Sequence, residues 1–461
     1  MKKSICFILL LACFISVQIN DSKAQNSVSI ARDQFDKFNN VKNGWLAGDA
    51  TISLLLPDGK TLWLFGDSFI GEKSGEFSID ASNSSFINNC AILEDDTSLT
   101  AYYGGTIDNP SSLIPGEGND IFWPEHATIE NDTIKILAVR VIYEDNNTAG
   151  FNFRTGTTHL AQFTYPEMEH ISTQEVDFIA DSTIRFGAHI LERNDYTYIF
   201  GVKDTTADDM TWSIPVLARY ENSISEPWEF YAGSGNWSYN YEDLRTIGDR
   251  PMSESFFVYE KNDKFYLIMH EIWTVGELYI LEADNITGPF NRGLTGGVEN
   301  LFCIIPPHGS NFTYNLFAHP QFQNQDSILI SFNVNTSNFS SIYTDTKNYR
   351  ARFLWLSVDD AVSTTIPDTV YIFDDYTDDM VNSTNDLKTN AQQLDYYGGN
   401  IYAKNINEPS VLDIFSIEGK KYLSEKLNED KVINIDNLPN KILIIQLVNK
   451  TGIITKKILH H

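Results

Sequence analysis

Five times between residues 50 and 332 the sequence repeats one plan: a polar lead, a short β-type run, a tight charged or glycine turn, then an aromatic-rich run. The first copy joins Ala50–Leu56 to Thr61–Phe65 across Pro57-Asp58-Gly59, and the second joins Ala127–Glu130 to Thr133–Val141 across Asn131-Asp132. The third joins Ala188–Glu192 to Tyr196–Val202, and the fourth Ser255–Glu260 to Lys264–Met269. The fifth joins Ala318–Phe322 to Ser327–Phe332. A hairpin recurring roughly every 60 to 75 residues buries its faces only against copies of itself, which is the logic of propeller blades. The expectation is an all-β chain with a five-bladed β-propeller over residues 40–358; an irregular β-sandwich is the alternative. Apolar residues at 42% and aromatics at 13% suffice for so large a core. No Ser-x-Asp-x-Gly-x-Thr-Trp box is present, which argues against a sialidase-type propeller.

The two ends of the chain differ from this middle. Lys2 and Lys3, an apolar run from Ile5 to about Val17 and the small-residue close Ser22-Lys23-Ala24 read as a secretory signal over residues 1–24. Leu10-Leu11-Ala12-Cys13 permits a lipoprotein box as an alternative. Cys6 and Cys13 leave with the signal, so Cys90 and Cys303 remain, too few for a metal cluster or a disulfide framework. Residues 359–400 form an acidic, Ser/Thr/Asn-rich linker. From residue 401 lysines balance acids, and the runs Val411–Ser416, Val432–Ile435, Ile442–Val448 and Ile453–Ile458 predict a small C-terminal β-sandwich.

The formal charge of −29, from 33 Lys+Arg against 62 Asp+Glu, excludes a grip on nucleic acid and disfavours docking on anionic lipid. No apolar run beyond the signal is long enough for membrane insertion. The mature chain is expected to be a monomer.

In a propeller the residues leading into each innermost strand gather at one mouth of the ring. Here they are Asp49, Glu125 with His126, Gly187 with His189, Glu254, and His319. The densest local signal is Gly44-Trp45-Leu46-Ala47-Gly48-Asp49 followed by Leu62-Trp63-Leu64-Phe65-Gly66-Asp67. With Asp58-Gly59 as the turn, Leu56 faces Thr61 and Asp49 faces Ser68 or Asp67, with Cβ atoms on the order of 5 to 8 Å apart. Two facing acids without a cation resist joint ionisation, so one keeps a proton. That split supplies the acid and the base that glycosidic hydrolysis needs. Asp49, near the innermost strand, is the expected nucleophile or base and Asp67 the expected acid, with the exchanged assignment as the alternative. Trp45, Trp63 and Trp123 are candidate sugar-stacking rings; His126, His189, Glu254 and His319 are candidate substrate contacts or supports. No cofactor or metal is expected, although a structural calcium on the same acids is another reading; the spacing of an EF-hand loop is absent. A glycan-binding propeller without catalysis would keep the aromatic platform and dispense with facing acids.

Two resemblances attach to these residues. "GWLAGDATISLLLPDGKTLWLFGDSFIG", "FWPEHATI" and "FAHPQF…ILISFNVN" resemble the secreted five-bladed propellers of glycoside hydrolase family one hundred and eighty-three, over about residues 40–358. The resemblance implies a glycosidase acting on a furanose-containing, arabinan-type polysaccharide, and endo-D-arabinanase in its finest form, with the two essential acids on Asp49 and Asp67. Glu125-His126 stands where the relatives have Gly-Asp. More distant five-bladed furanosidases place an acid at the opening of the fourth blade, where Glu254 stands. Residues 401–461 resemble the C-terminal sorting domain of the type IX secretion system, with Asn440-Lys441 where Lys-Gly is usual. That implies a partner in the secretion machinery and export across the outer membrane of a Bacteroidetes-like bacterium.

Overall fold

The computed structural model describes residues 28–95, 98–143, 153–207, 210–249, 252–270, 277–290, 300–305, 311–324, 326–359, 368–371 and most of 393–460. The leader over 1–24 lies outside the described residues, as does most of the acidic stretch over 359–400.

Each of the five hairpins is the inner half of its own antiparallel sheet. The innermost strands of blades 1 to 5 are Trp45–Leu55, Ile121–Glu130, Ile184–Arg193, Phe256–Lys261 and Asn311–Asn324. Each touches the next, and the fifth touches the first, so the sheets close into a five-bladed ring. Blade 5 is completed from the other end of the chain: Val28–Ile30 pairs with its third strand, Ala351–Ser357. Asp368–Tyr371, inside the acidic stretch, pairs in parallel with Asn300–Ile305 at the outer edge of blade 4.

The turns follow their chemistry. Asn131 and Asp132 (φ 49° and 58°) and Asn262 and Asp263 (φ 52° and 61°) are two-residue turns with both central residues left-handed, the geometry that matches strand twist and that Asn and Asp tolerate. The first turn departs from expectation. Thr61 is opposite Leu55, not Leu56, and the Leu56 N–H donates to Lys60 O at 2.8 Å, with Gly59 at φ 83°.

Above their turns the inner strands break register at one level of the ring. Asp49 and Thr51 interrupt blade 1, Glu125-His126 blade 2, Gly187-Ala188 blade 3 and Asn315-Leu316 blade 5. A bulge turns side chains off the regular alternation, so residues that would point between blades are aimed at the channel. Ala50 and Thr51 adopt φ of 68° and 72°, costly for any residue with a Cβ and more so for a β-branched one. The strain is concentrated beside Asp49.

Between blades the core is aromatic. Trp45 and Trp63, at 2% and 0% exposure, pack with Phe38, Phe65 and Phe353 where blades 1 and 5 meet. The Trp63 indole N–H is satisfied by Glu94 Oε2 at 2.7 Å. Cys90 is a buried free thiol in the same cluster.

The C-terminal part is a two-sheet sandwich. Gln393–Tyr397, Asn400–Lys404 and Lys431–Asn434 form one sheet; Lys421–Leu427, Ser410–Ser416, Lys441–Val448 and Ile453–His460 form the other. Alternate residues of the central strand, among them Leu412 and Ile414, meet Ile401, Ile433 and Leu443 in a shared core.

Candidate active site

Asp49 and Asp67 come together as the first hairpin demands. Gly48 is opposite Ser68 and Ala50 opposite Phe65, which leaves Asp49 facing the Gly66-Asp67 step. Both carboxyls are half-buried, and the backbone N–H of Asp67 donates to the Asp49 carboxylate. Gly66 is required by this closeness: a Cβ there would sit 2.6 Å from Asp49 Oδ1.

The two acids have unequal surroundings. The Tyr314 and Tyr349 hydroxyls both donate to Asp49 Oδ2, at 2.7 and 2.9 Å, in addition to backbone N–H groups. Asp67 Oδ1 accepts from Asn88 Nδ2 at 3.1 Å and from the Trp123 indole at 3.2 Å. Burial pushes Asp49 up to about 6 against those donors. Burial and the neighbouring Asp49 charge push Asp67 higher, to about 7. Near neutrality the pair therefore holds one proton, and Asp49, whose oxygens accept from more donors, is the anionic partner. Asp49 Oδ2 is the oxygen to which both tyrosines donate, while Oδ1 lies against Gly66.

A second group of ionisable residues stands on blades 2 to 4. Arg185, only 3% exposed, forks onto Asp204 at 2.8 and 2.9 Å and reaches Glu254 Oε1 at 2.7 Å. Glu254 nonetheless keeps 48% of its side-chain surface open, so it faces solvent with its charge balanced from behind. Glu125 is pushed up to about 8, first by burial and then by the Glu254 charge, against the pull of Arg185. Gly187 (φ 130°) gives it room, since a Cβ there would lie 2.6 Å from Glu125 Cβ.

Burial favours the neutral form of three imidazoles. His126 and His189 meet edge to face at 4.9 Å, and burial holds His126 down at about 4 and His189 well below its ordinary value. His319 is fully buried between Ser53 Oγ (2.7 Å) and Ser331 Oγ (2.9 Å), and burial lowers it to about 3.

Several expected site residues are therefore corrected. Trp45 and Trp63 are core rings between blades and cannot stack on a sugar. His189 and His319 are buried props of the channel wall rather than substrate contacts. Of the three candidate tryptophans, Trp123 is the one at the acids, braced edge to face by Phe153 at 5.1 Å. His126 is half-buried and Glu254 is partly open to solvent. The residues not singled out from sequence are Tyr314, Tyr349, Asn88 and Arg185. Tyr314 and Arg185 each lie within two residues of a bulge in an inner strand, a signal that appears only once the register is known.

Among the described residues no group of His, Cys, Asp and Glu is arranged to hold a metal ion. A separate cavity of about 630 Å³ is lined by Arg32, Asp36, Lys73, Glu76 and Phe77 and includes none of the channel acids.

A family described as a domain of unknown function (DUF5005) matches residues 32–359. Among curated proteins nothing matches. Of solved structures, a candidate hydrolase from Bacteroides ovatus is similar at 21% identity and a TM-score of 0.58, covering 71% of this chain and 89% of that one. That likeness is one of fold. A GH43 enzyme from Xanthomonas citri in complex with xylotriose is similar at 11% identity and a TM-score of 0.41, over 72% of this chain and 93% of that one. A GH43 β-xylosidase/α-arabinofuranosidase from a compost metagenome is similar at 14% and 0.39, over 68% and 91%.

Proposed function

The chain belongs to the DUF5005 family, a domain of unknown function, and we propose that it is a glycosidase acting on a furanose-containing, arabinan-type polysaccharide, with Asp49 and Asp67 as its reacting acids. The observation that carries this reading is the meeting of two half-buried carboxyls with tyrosine, amide and indole donors and, among the described residues, no neutralising cation. In the proposed reaction Asp49 Oδ1 attacks the anomeric carbon while Asp67 passes its proton to the departing glycosidic oxygen. Tyr314 and Tyr349 hold Oδ2, which fixes the direction of Oδ1 and spreads the carboxylate charge. Water then replaces the enzyme at the anomeric carbon, giving its proton to Asp67 and releasing Asp49. A pathway through an enzyme-bound sugar keeps the configuration at the anomeric carbon, and such pathways go with a carboxyl separation of about 5 Å.

A negatively charged surface favours neutral over anionic glycans. D-arabinan cut internally is the finest form of this proposal and rests on the resemblance of the first hairpin. Export by a leader and a C-terminal sorting domain is likewise proposed, as is contact of residues 401–461 with type IX secretion machinery. Incubating the mature protein with arabinans, galactans and mycobacterial arabinogalactan tests the activity. Reducing ends from an arabinan are expected, with the product anomer matching the substrate. Binding to such glycans without release of any sugar would replace the enzyme with a glycan-binding propeller.

A further inference from the structure

The second strand of blade 1 does not stop at the ring. Thr61–Gly75 runs past Asp67 and doubles back as Ser78–Ile87, forming an extra hairpin beside the acids. Its return arm carries Phe86, exposed at 43%, two residues before the Asn88 that bonds Asp67. From blade 5 the short helical turn Phe339–Tyr343 brings Phe339, exposed at 47%, against it. The two rings meet edge to face at 5.9 Å. Both rest on Phe69, which is buried, at 5.0 and 5.8 Å. Phe339 also lies 6.3 Å from the ring of Tyr349, whose hydroxyl holds Asp49. A continuous aromatic path thus leads from the proposed nucleophile to an exposed ledge.

We infer that Phe86 and Phe339 form a sugar-stacking subsite beside the acid pair, taking a further ring of the same glycan chain. This rests on the glycosidase reading of Asp49 and Asp67. Two large apolar side chains half in water, each held rigidly by a buried ring, have already lost the rotamer freedom that binding would remove. The neighbouring residues are small and polar: Ser84 shares the strand face of Phe86 two positions away, and exposed Ser337, Asn338 and Ser340 flank Phe339 along the chain. Apolar faces ringed by hydroxyl and amide groups suit the C–H face of a sugar with its hydroxyls at the edge. Two phenyl rings are far short of the roughly 800 Å² per partner of a stable protein interface. The ledge is also continuous with the acids through Tyr349 and Asn88, so its occupant is the substrate chain itself.

The test uses the full mature chain as wild type, Phe86→Ala/Phe339→Ala and Phe86→Tyr/Phe339→Tyr. Two readouts are taken: retardation in native gels containing soluble arabinan or mycobacterial arabinogalactan, and turnover of those polymers against 4-nitrophenyl arabinofuranoside. The alanine pair is expected to lose retardation and roughly ten-fold or more in kcat/KM on polymer, mainly through KM, as removal of an aromatic anchor does. Its turnover of the short glycoside should stay at the wild-type level, which also shows an intact fold, and the tyrosine pair should restore binding. Equal retardation of wild type and alanine pair, or equal losses on polymer and short substrate, would overturn the subsite. So would a wild-type chain retarded by neither polymer. Retardation abolished by the alanine pair in a protein that cleaves nothing would uphold the ledge and refute the glycosidase.

Discussion

Asp49 and Asp67 on blade 1 meet with tyrosine, indole and amide donors and, among the described residues, no cation, whereas Glu254 on blade 4 meets Arg185, which is itself locked to Asp204. Both groups hold acids that keep part of their surface open. Their charge balance differs. Around Arg185 a buried guanidinium offsets two carboxylates, which makes a fixed structural joint between blades 3 and 4. On blade 1 the uncompensated pair keeps a proton between two unequal partners, which is the condition for acid–base work near neutral pH. In the proposed reading, the absence of a buried cation, and not the number of acids, singles out blade 1 for the chemistry.

The largest expected effect breaks the structural side of this comparison. Arg185→Met leaves Asp204 and Glu254 facing each other unneutralised, and thermal unfolding should show a loss of about 3 kcal/mol, as for a broken buried ion pair. Gly66→Ala acts on the other side. Its Cβ must displace Asp49 Oδ1, so kcat should fall roughly 100-fold with little change in unfolding temperature, as small misplacements of reacting groups do. Tyr349→Phe removes one of two hydroxyl donors from Asp49 Oδ2. The acid limb of the rate profile should move upward, with a loss of roughly ten-fold or less in kcat at pH 6, the scale of one charge-assisted hydrogen bond. The last effect is thermodynamic and depends on pH. Glu125 keeps its proton up to about 8 in the folded chain, whereas its ordinary value is 4.5. Between those limits the unfolded state has already released the proton, so stability falls as pH rises. Glu125→Gln removes that dependence and should raise the unfolding temperature by a few degrees at pH 8, with no gain below pH 4.5.

The hairpin period was legible because turn chemistry is local: Asn-Asp and Asp-Gly steps between β-type runs announce strand reversals whatever lies around them. The meeting of Asp49 and Asp67 was legible for the same reason, since one turn brings the two strands together. Even the turn misplaced by one residue did no harm, because register irregularities around Asp49 leave it facing Gly66-Asp67. The tyrosines on Asp49 come from 265 and 300 residues away in the chain, and only ring closure joins them. The tryptophans misled because a ring of sheets consumes large aromatics at its seams. Trp63 stacks on Phe322 and tilts against His319 of blade 5, so both an expected platform and an expected contact are part of one interblade joint.

The most direct measurement of the central claim is kcat/KM on an arabinan from pH 4 to 9 for the wild type, Asp49→Asn and Asp67→Asn. The wild type should give a bell between the raised ionisations of the pair, near 6 and 7, and each variant should lose roughly 1,000-fold or more, as expected when a nucleophile or general acid is removed. Sugar release at wild-type rate by both variants would contradict the account.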